Sequence, residues 1–192
     1  MPADRLLYAH PRFVGLWFAG FEIIRYFCAE KRRLTMEQQL NAHGKQEFPP
    51  MHTAEHILNA TMVKMFGCGR HVNAHVERTK SKLDYDFSRA LTDDEVRRIE
   101  QEVNAVIQAD VPVTEEFATQ AQVVGRFALE RLPEGASDTV RIVHVGDYDE
   151  CLCAGAHVRH TAEIGVFRIS STRFQDGRLR IVFRLTPAGE NC

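Results

Sequence analysis

Two pairs of metal-binding residue types, about one hundred residues apart, constrain the fold of this chain more than any other feature. His52 and His56 lie four residues apart in a segment of helical periodicity, so both imidazoles project from one side of a helix. Cys153 and His157 have the same spacing around Gly155, which lets a loop fold back onto one ion. Each pair alone is a weak signal. Together they supply three imidazoles and one thiolate, a donor set that suits Zn²⁺ better than Mg²⁺ or Ca²⁺.

The spacing of apolar residues predicts two helices. Pro49 and Pro50 block any preceding helix, and the periodic segment that follows them ends at Gly67. The second helix begins with Thr92 and Glu95, which have the spacing of a capping box. The two apolar stripes are Ile57, Leu58, Thr61, Met62, Met65 and Phe66 in the first helix, and Val96, Ile99, Val103, Val106 and Ile107 in the second.

Alternating apolar residues predict strands around these helices. The first two, over 72–76 and 83–87, have Val72, Ala74 and Val76 and then Leu83, Tyr85 and Phe87 on their inner faces. Further strands are predicted over 111–117, 139–145, 164–170 and 178–185, with a hairpin turn at 175–177 and an acidic loop at 146–150. The prediction is an α+β domain over 49–186: an antiparallel sheet with packed helices, and a zinc site in a cleft between the first helix and the sheet.

The ends of the chain are predicted to lie outside this domain, as an N-terminal extension (1–48) and a C-terminal tail (187–192). The run 14–29 is apolar, but Glu22 and Arg25 interrupt it and it is shorter than a membrane helix requires. The extension is therefore interpreted as an amphipathic appendage, or as translated sequence upstream of a true start at Met36.

Charge and cysteine content exclude several classes of protein. With 24 Lys and Arg against 26 Asp and Glu the net charge is −2, so a nucleic acid would have to bind a local basic patch. Five cysteines, an odd number without a regular framework, are typical of a reducing cytoplasm and not of a secreted disulfide scaffold. We therefore expect a cytoplasmic protein with neither membrane nor DNA as a partner; the sequence leaves its oligomeric state open.

Further histidines and glutamates could also take part in a functional site. His71 and His75 also lie four apart, but on a predicted strand, where that spacing spans about 13 Å; His71 is interpreted as a strand-start residue and His75 as a weak candidate for contact with substrate. Residues 52–56 also match the H-x-x-E-H zinc peptidase pattern, with Glu55 as general base and a third ligand expected among Glu95, Glu100 and Glu102. Otherwise Glu55 is a first-turn acid favoured by the helix dipole.

Four ordered segments resemble the editing domain of alanyl-tRNA synthetase, its free-standing relatives, and the second additional domain of threonyl-tRNA synthetase. HTAEHIL at 52–58 resembles H-T-A-x-H-L-L, and CAGAHV at 153–158 resembles C-G-G-T-H-V. LDYDF at 83–87 is similar to L-R-F-D-F, and TAEIGVF at 161–167 is similar to T-x-E-I-G-x-F. The resemblance covers roughly 49–186.

The resemblance implies hydrolysis of the ester that joins a wrong amino acid, usually serine or glycine, to the 3′ end of tRNA(Ala). It implies His52, His56, Cys153 and His157 as zinc ligands. The catalytic group stays open: we hypothesise that a water near the metal attacks, with His75 and Glu55 as weak candidates. A pocket for alanine cannot strongly reject serine or glycine, so a second hydrolytic site must discard the errors. The alternatives are a zinc-stabilised tRNA-binding module without activity and, third, the zinc peptidase.

Some positions depart from the family pattern. Ala154 and Ala156 stand where Gly and Thr are usual, and the loss of the Thr hydroxyl bears on recognition of serine. Cys151 is an extra thiol, either an alternative ligand or a buried side chain, and Glu163 either holds the ligand-bearing segment or is purely structural. Two basic rows could contact phosphates: Arg78, Lys80 and Lys82, and Arg178, Arg180 and Arg184.

Overall fold

The computed structural model describes residues 48–129, 132 and 136–187, and these form an α+β fold. The predicted extension and tail therefore lie outside the described residues except for Phe48 and Pro187. The helices are α1 (Pro49–Phe66), α2 (Asp93–Gln108) and the short α3 (Gln120–Val123). The strands are β1 (Asn73–His75), β2 (Ser81–Asp86), β3 (Val113–Thr119), β4 (Thr139–Val145), β5 (Asp149–Leu152), β6 (Val166–Gln175) and β7 (Arg178–Thr186), with a 3₁₀ turn at Thr161–Ile164.

The strands form two antiparallel sheets where the sequence predicts one. The larger has the order β1-β2-β7-β6, and the smaller has the order β3-β4-β5. In β2 and β7 the apolar residues alternate as predicted, so that Leu83 and Tyr85 face the core beside Leu179 and Ile181. The predicted hairpin turn joins β6 to β7, with Asp176 and Gly177 both at positive φ as a two-residue type I′ connection requires.

The main hydrophobic core lies between the two long helices and the inner face of the four-stranded sheet. The α1 segment from Thr53 to Met62 is buried on every side, so its apolar stripe is only part of its buried surface. The predicted capping box of α2 is present: Thr92 accepts from the Glu95 N–H, and the Glu95 carboxylate accepts from the Thr92 N–H. A smaller cluster around Val123, Val140 and Ile142 covers the three-stranded sheet.

Two strand predictions are corrected. Val72 is 44 % exposed and Ala74 is also exposed, because β1 is a three-residue strand at the edge of its sheet. The predicted acidic loop at 146–150 ends in β5, which begins at Asp149 and pairs with β4. Acidic residues are poor strand formers, so β5 has no alternating apolar pattern of its own.

No helix among the described residues is long and apolar enough to cross a membrane.

Candidate metal centre

Helix α1 and the loop after β5 bring the four predicted ligands together. His52 and His56 come from the first half of α1, and Cys153 and His157 come from the loop. One donor atom from each residue lies within 4.8 Å of every other. The Sγ of Cys153 is 3.4 Å from Nε2 of His52 and 3.4 Å from Nε2 of His157. A tetrahedral zinc ion would hold such nitrogen and sulfur atoms about 3.6 Å apart, so the donor set and its spacing fit Zn²⁺.

Thr53 fixes the proton on His157. Its hydroxyl donates to the carbonyl of Pro49 at 3.0 Å and accepts from the N–H of Val158 at 3.2 Å. The same oxygen lies 3.1 Å from Nδ1 of His157 and, with its own proton used, accepts from it. The proton is then on Nδ1, and Nε2, which faces Cys153, keeps its lone pair for a metal.

Asp149 contacts His56 at Nδ1, on the far side of the imidazole ring from Nε2. The buried atoms His56 Nδ1 and Asp149 Oδ2 lie 3.4 Å apart as an ion pair, with an alignment short of hydrogen-bond geometry. Neither atom forms a hydrogen bond to another described residue. The other carboxylate oxygen of Asp149 pairs with Arg70. Asp149 thus directs His56 Nε2 toward the cluster and ties α1 to β5.

Burial and mutual contacts shift the pKa values of the four clustered residues, and two of the four shift toward the metal-binding form. Burial by itself would raise the pKa of Cys153, but its contacts with the imidazoles of His157, His52 and His56 outweigh burial and lower that pKa to about 3, which favours the thiolate. Burial lowers the pKa of His157, which favours the neutral imidazole that binds metals. These two ionisation states match the forms in which Cys and His bind zinc. At His52 and His56 burial would lower the pKa, but contacts with Cys153 and, at His56, with Asp149 raise it, so zinc binding would displace protons from these two imidazoles.

Arg141, on strand β4, holds the loop that carries Cys153 and His157. This arginine lies in the middle of β4 and is only 6 % exposed. One of its terminal nitrogens donates to the carbonyls of Ala154 at 3.1 Å and Gly155 at 2.9 Å. The other donates to Oε1 of Glu115 at 2.7 Å. The loop between Cys153 and His157 is therefore fixed through its backbone.

Glu163 fastens the chain just after the last ligand. Its carboxylate accepts from the N–H groups of Arg159 at 3.1 Å and His160 at 2.9 Å. It therefore orders the segment that follows His157. Of the two roles left open by the sequence, the geometry favours holding this segment.

Glu55 lies beside the cluster in a network that sequence reasoning missed. Its carboxylate is held through Oε1 by Asn59 and by Nδ1 of His71, the latter at 3.1 Å. Burial would raise its pKa, but the hydrogen bond with His71 and the charges of the neighbouring histidines lower it to about 2. His71 precedes β1 and faces Glu55, which corrects its interpretation as a strand-start residue. The available signal was Asn59, four residues beyond Glu55 on the same helix face.

The remaining candidates lie elsewhere. His75 is on the edge strand β1 with its side chain 41 % exposed, and it pairs with Glu77. Cys151 lies on β5 opposite Val143, is not one of the four clustered donors, and has its pKa raised by burial.

The basic rows are solvent-facing and partly neutralised. Arg78 and Lys80 lie in the loop between β1 and β2, and Lys82 is on the outer face of β2. Arg178 pairs with Asp86 at 2.7 Å, and Arg180 forms a two-point contact with Asp84 at 2.7 and 2.9 Å. Arg184 on β7 is directly opposite Arg168 on the adjacent strand β6.

The geometry disfavours the peptidase arrangement. Glu95 pairs with Arg89, Glu100 accepts from the N–H of Ile169 at 2.6 Å, and Glu102 is exposed on α2. Within the described ranges, the residues that join His52 and His56 are Cys153 and His157, which the peptidase pattern leaves unused.

Sequence comparisons relate this chain to a known family. The profile of the family described as "Threonyl and Alanyl tRNA synthetase second additional domain" matches residues 140–182. The chain is similar to alanine–tRNA ligase of Fervidobacterium nodosum (38% identity over 136 residues, 70% of this chain and 16% of the ligase). It is also similar to that of Bacillus subtilis (36% over 144 residues, 73% of this chain and 16% of the ligase). The chain thus spans only about a sixth of the length of the ligases it matches. Residues 140–182 thus belong to the family of the threonyl and alanyl tRNA synthetase second additional domain, in a chain that is similar to an alanine–tRNA ligase over 70% of its length.

Proposed function

We propose that this protein is a zinc-dependent hydrolase that removes a wrong amino acid, of the serine or glycine type, from tRNA(Ala) and so protects the fidelity of translation. It would act in trans, on aminoacyl-tRNA that a synthetase has already released in the cytoplasm. The observation that carries the proposal is the convergence of His52, His56, Cys153 and His157 in a chain of this family.

The reaction is the hydrolysis of one ester. The bond between the aminoacyl carbonyl carbon and the ribose oxygen breaks, water adds its oxygen to that carbon, and the ribose oxygen takes a proton. A bound Zn²⁺ supplies Lewis-acid polarisation of the ester carbonyl or of the water. The chain's own residues prepare the site, because Thr53 and Asp149 orient the imidazoles and Arg141 fixes the loop.

The substrate end would enter where the cluster meets solvent, in a cleft between α1 and the sheet. His52, Cys153 and His157 are each partly exposed, whereas His56 is only 2 % exposed. The aminoacyl group would therefore approach from the side of the first three residues. Ala156 is exposed on the same loop, and its methyl group cannot hydrogen-bond a serine hydroxyl. Serine recognition would then depend on other polar groups or on the backbone.

A second function, a zinc-stabilised tRNA-binding module without activity, has one observation in its favour. Four protein donors lie close enough to complete a tetrahedron, and a zinc site with four protein ligands is closed and typically structural. Hydrolysis through such a centre would require one ligand to leave or the coordination number to rise.

A deacylation time course separates the two functions. Zinc-loaded protein is incubated with Ser-tRNA(Ala) and with Ala-tRNA(Ala), and the ester that remains is counted. We expect loss of serine with alanine spared. We also expect Cys153→Ala and His52→Ala to lose both bound zinc and hydrolysis. His144→Ala, a partly exposed histidine on β4 that pairs with Glu116, is the matched control.

The outcomes are distinct. Zinc binding without loss of either ester, with tRNA still bound, would support the binding module. Hydrolysis that persists in a metal-free variant would contradict a zinc-dependent reaction.

A further inference from the structure

Glu55 is a buried carboxylate directly beside the four clustered donors. Its side chain is 6 % exposed, and its Oε2 atom lies 3.8 Å from Nε2 of His52 and 3.9 Å from Nε2 of His56. These nitrogens belong to the residues whose donor atoms converge with Cys153 and His157. Glu55 itself is not part of that converging group. It therefore borders the candidate centre on the side of α1.

The orientation of this carboxylate is fixed. Oε1 accepts from Asn59 and lies 3.1 Å from Nδ1 of His71. The side chain of Asn59 is held in turn, because its Nδ2 also donates to the carbonyl of Glu55 at 3.1 Å and its Oδ1 accepts from the N–H of His71 at 3.1 Å. With Oε1 anchored in this way, Oε2 remains directed toward the imidazoles.

Charge balance gives the carboxylate a role. A divalent ion bound by one thiolate and three neutral imidazoles leaves a net charge of about +1, and His56 on one side of it is almost fully buried. A net charge in a buried site is costly unless an opposite charge compensates it. Asp149 also lies beside His56, but its charge is already paired with that of Arg70, so one fixed carboxylate at Glu55 brings the sum to zero.

We propose that Glu55 is the counter-charge of the metal centre: a fixed carboxylate, outside the coordination sphere, that neutralises a divalent ion bound by His52, His56, Cys153 and His157. This inference rests on the metal occupancy proposed above. It gives Glu55 a positioning and electrostatic role that neither the first-turn acid nor the peptidase base describes.

Metal affinities of Glu55→Gln test the proposal. The Gln side chain keeps the shape and an acceptor at Oε1 for Asn59 and His71, but removes the charge. We expect Zn²⁺ affinity, measured by competition with a chelator, to fall roughly 10- to 100-fold, the usual effect of changing a group just outside a metal site. Cu⁺ also binds thiolate and imidazole but carries one charge less. Its affinity should fall much less, so the ratio of Zn²⁺ to Cu⁺ affinities drops about 10-fold or more.

The ratio separates a charge effect from a general loss of structure. A variant that merely packs badly would lose affinity for both ions equally, and this result would overturn the proposal. Glu55→Asp keeps the charge and should retain more Zn²⁺ affinity than Glu55→Gln. Glu102→Gln, an exposed glutamate on α2, is the matched control and should bind both ions as the wild type does.

Cobalt substitution tests the position of the carboxylate. Because Glu55 is proposed to lie outside the coordination sphere, the visible spectrum of the Co²⁺ protein should keep its shape in Glu55→Gln. A change of coordination number in that spectrum would make Glu55 a ligand and overturn the proposal, as would unchanged Zn²⁺ affinity. A wild-type protein that binds no zinc would contradict the zinc centre itself, which is a separate result.

Discussion

Replacing Arg141 with Met removes the clamp on the ligand-bearing loop while keeping an apolar stem of similar length. The carbonyls of Ala154 and Gly155 each lose a charged donor. The Gly155 carbonyl is buried and costs about 1–3 kcal/mol when left without a partner, whereas the partly buried Ala154 carbonyl costs about 1 kcal/mol. The Glu115 side chain is 42 % exposed and can take up water, so the lost ion pair adds less than about 1 kcal/mol. We therefore expect the free energy of unfolding to fall by about 2–5 kcal/mol.

Urea unfolding of the metal-free protein, followed by circular dichroism, measures this loss. Chelator competition measures a second effect, because a loop no longer held at two carbonyls presents Cys153 and His157 less well and should bind Zn²⁺ more weakly. Arg97→Met, which removes an exposed arginine paired with Asp94, is the control and should change neither quantity by more than about 0.5 kcal/mol. If Arg141→Met unfolded within 1 kcal/mol of the wild type and bound zinc equally well, the clamp would be refuted.

Two further predictions concern acid and salt. The hydrogen bonds from Arg89 and from the Thr92 backbone lower the pKa of Glu95 from 4.5 to about 2. Because the pKa is lower in the folded than in the unfolded protein, this carboxylate stabilises the fold above about pH 4.5. The contribution is lost as the pH falls toward about 2. The urea midpoint of Glu95→Gln should therefore decline less over that range than the wild-type midpoint, and parallel declines would contradict the assignment. If the basic rows contact tRNA, hydrolysis of Ser-tRNA(Ala) at subsaturating substrate should fall sharply between about 50 and 200 mM salt, and Arg184→Ala should reduce the slope by about one phosphate contact. A flat salt response of the wild type would argue against tRNA as the substrate.

Local patterns predicted the two long helices and most strands because each of these depends on residues close in sequence; the short helix Gln120–Val123 was not predicted. The Thr92–Glu95 capping box, the turn at Asp176–Gly177 and the alternation in β2 all formed as expected. Val72 was placed wrongly because alternation alone does not show which strand lies at an edge. Strand β5 was missed because its pairing with β4, and not its own composition, makes it a strand.

The sequence by itself determined which donors could bind a metal and at what spacing: two imidazoles on one helix face, and a thiolate with an imidazole across a short loop. Only the tertiary structure decided that the two pairs meet, that Asp149 and Thr53 orient the imidazoles, and that Glu55 borders the cluster. The physical reason is the range of the interactions. Helical spacing and turn geometry are set within a few residues, whereas the position of Cys153 opposite His52 depends on β5 pairing with β4 and on Arg141 fixing the loop.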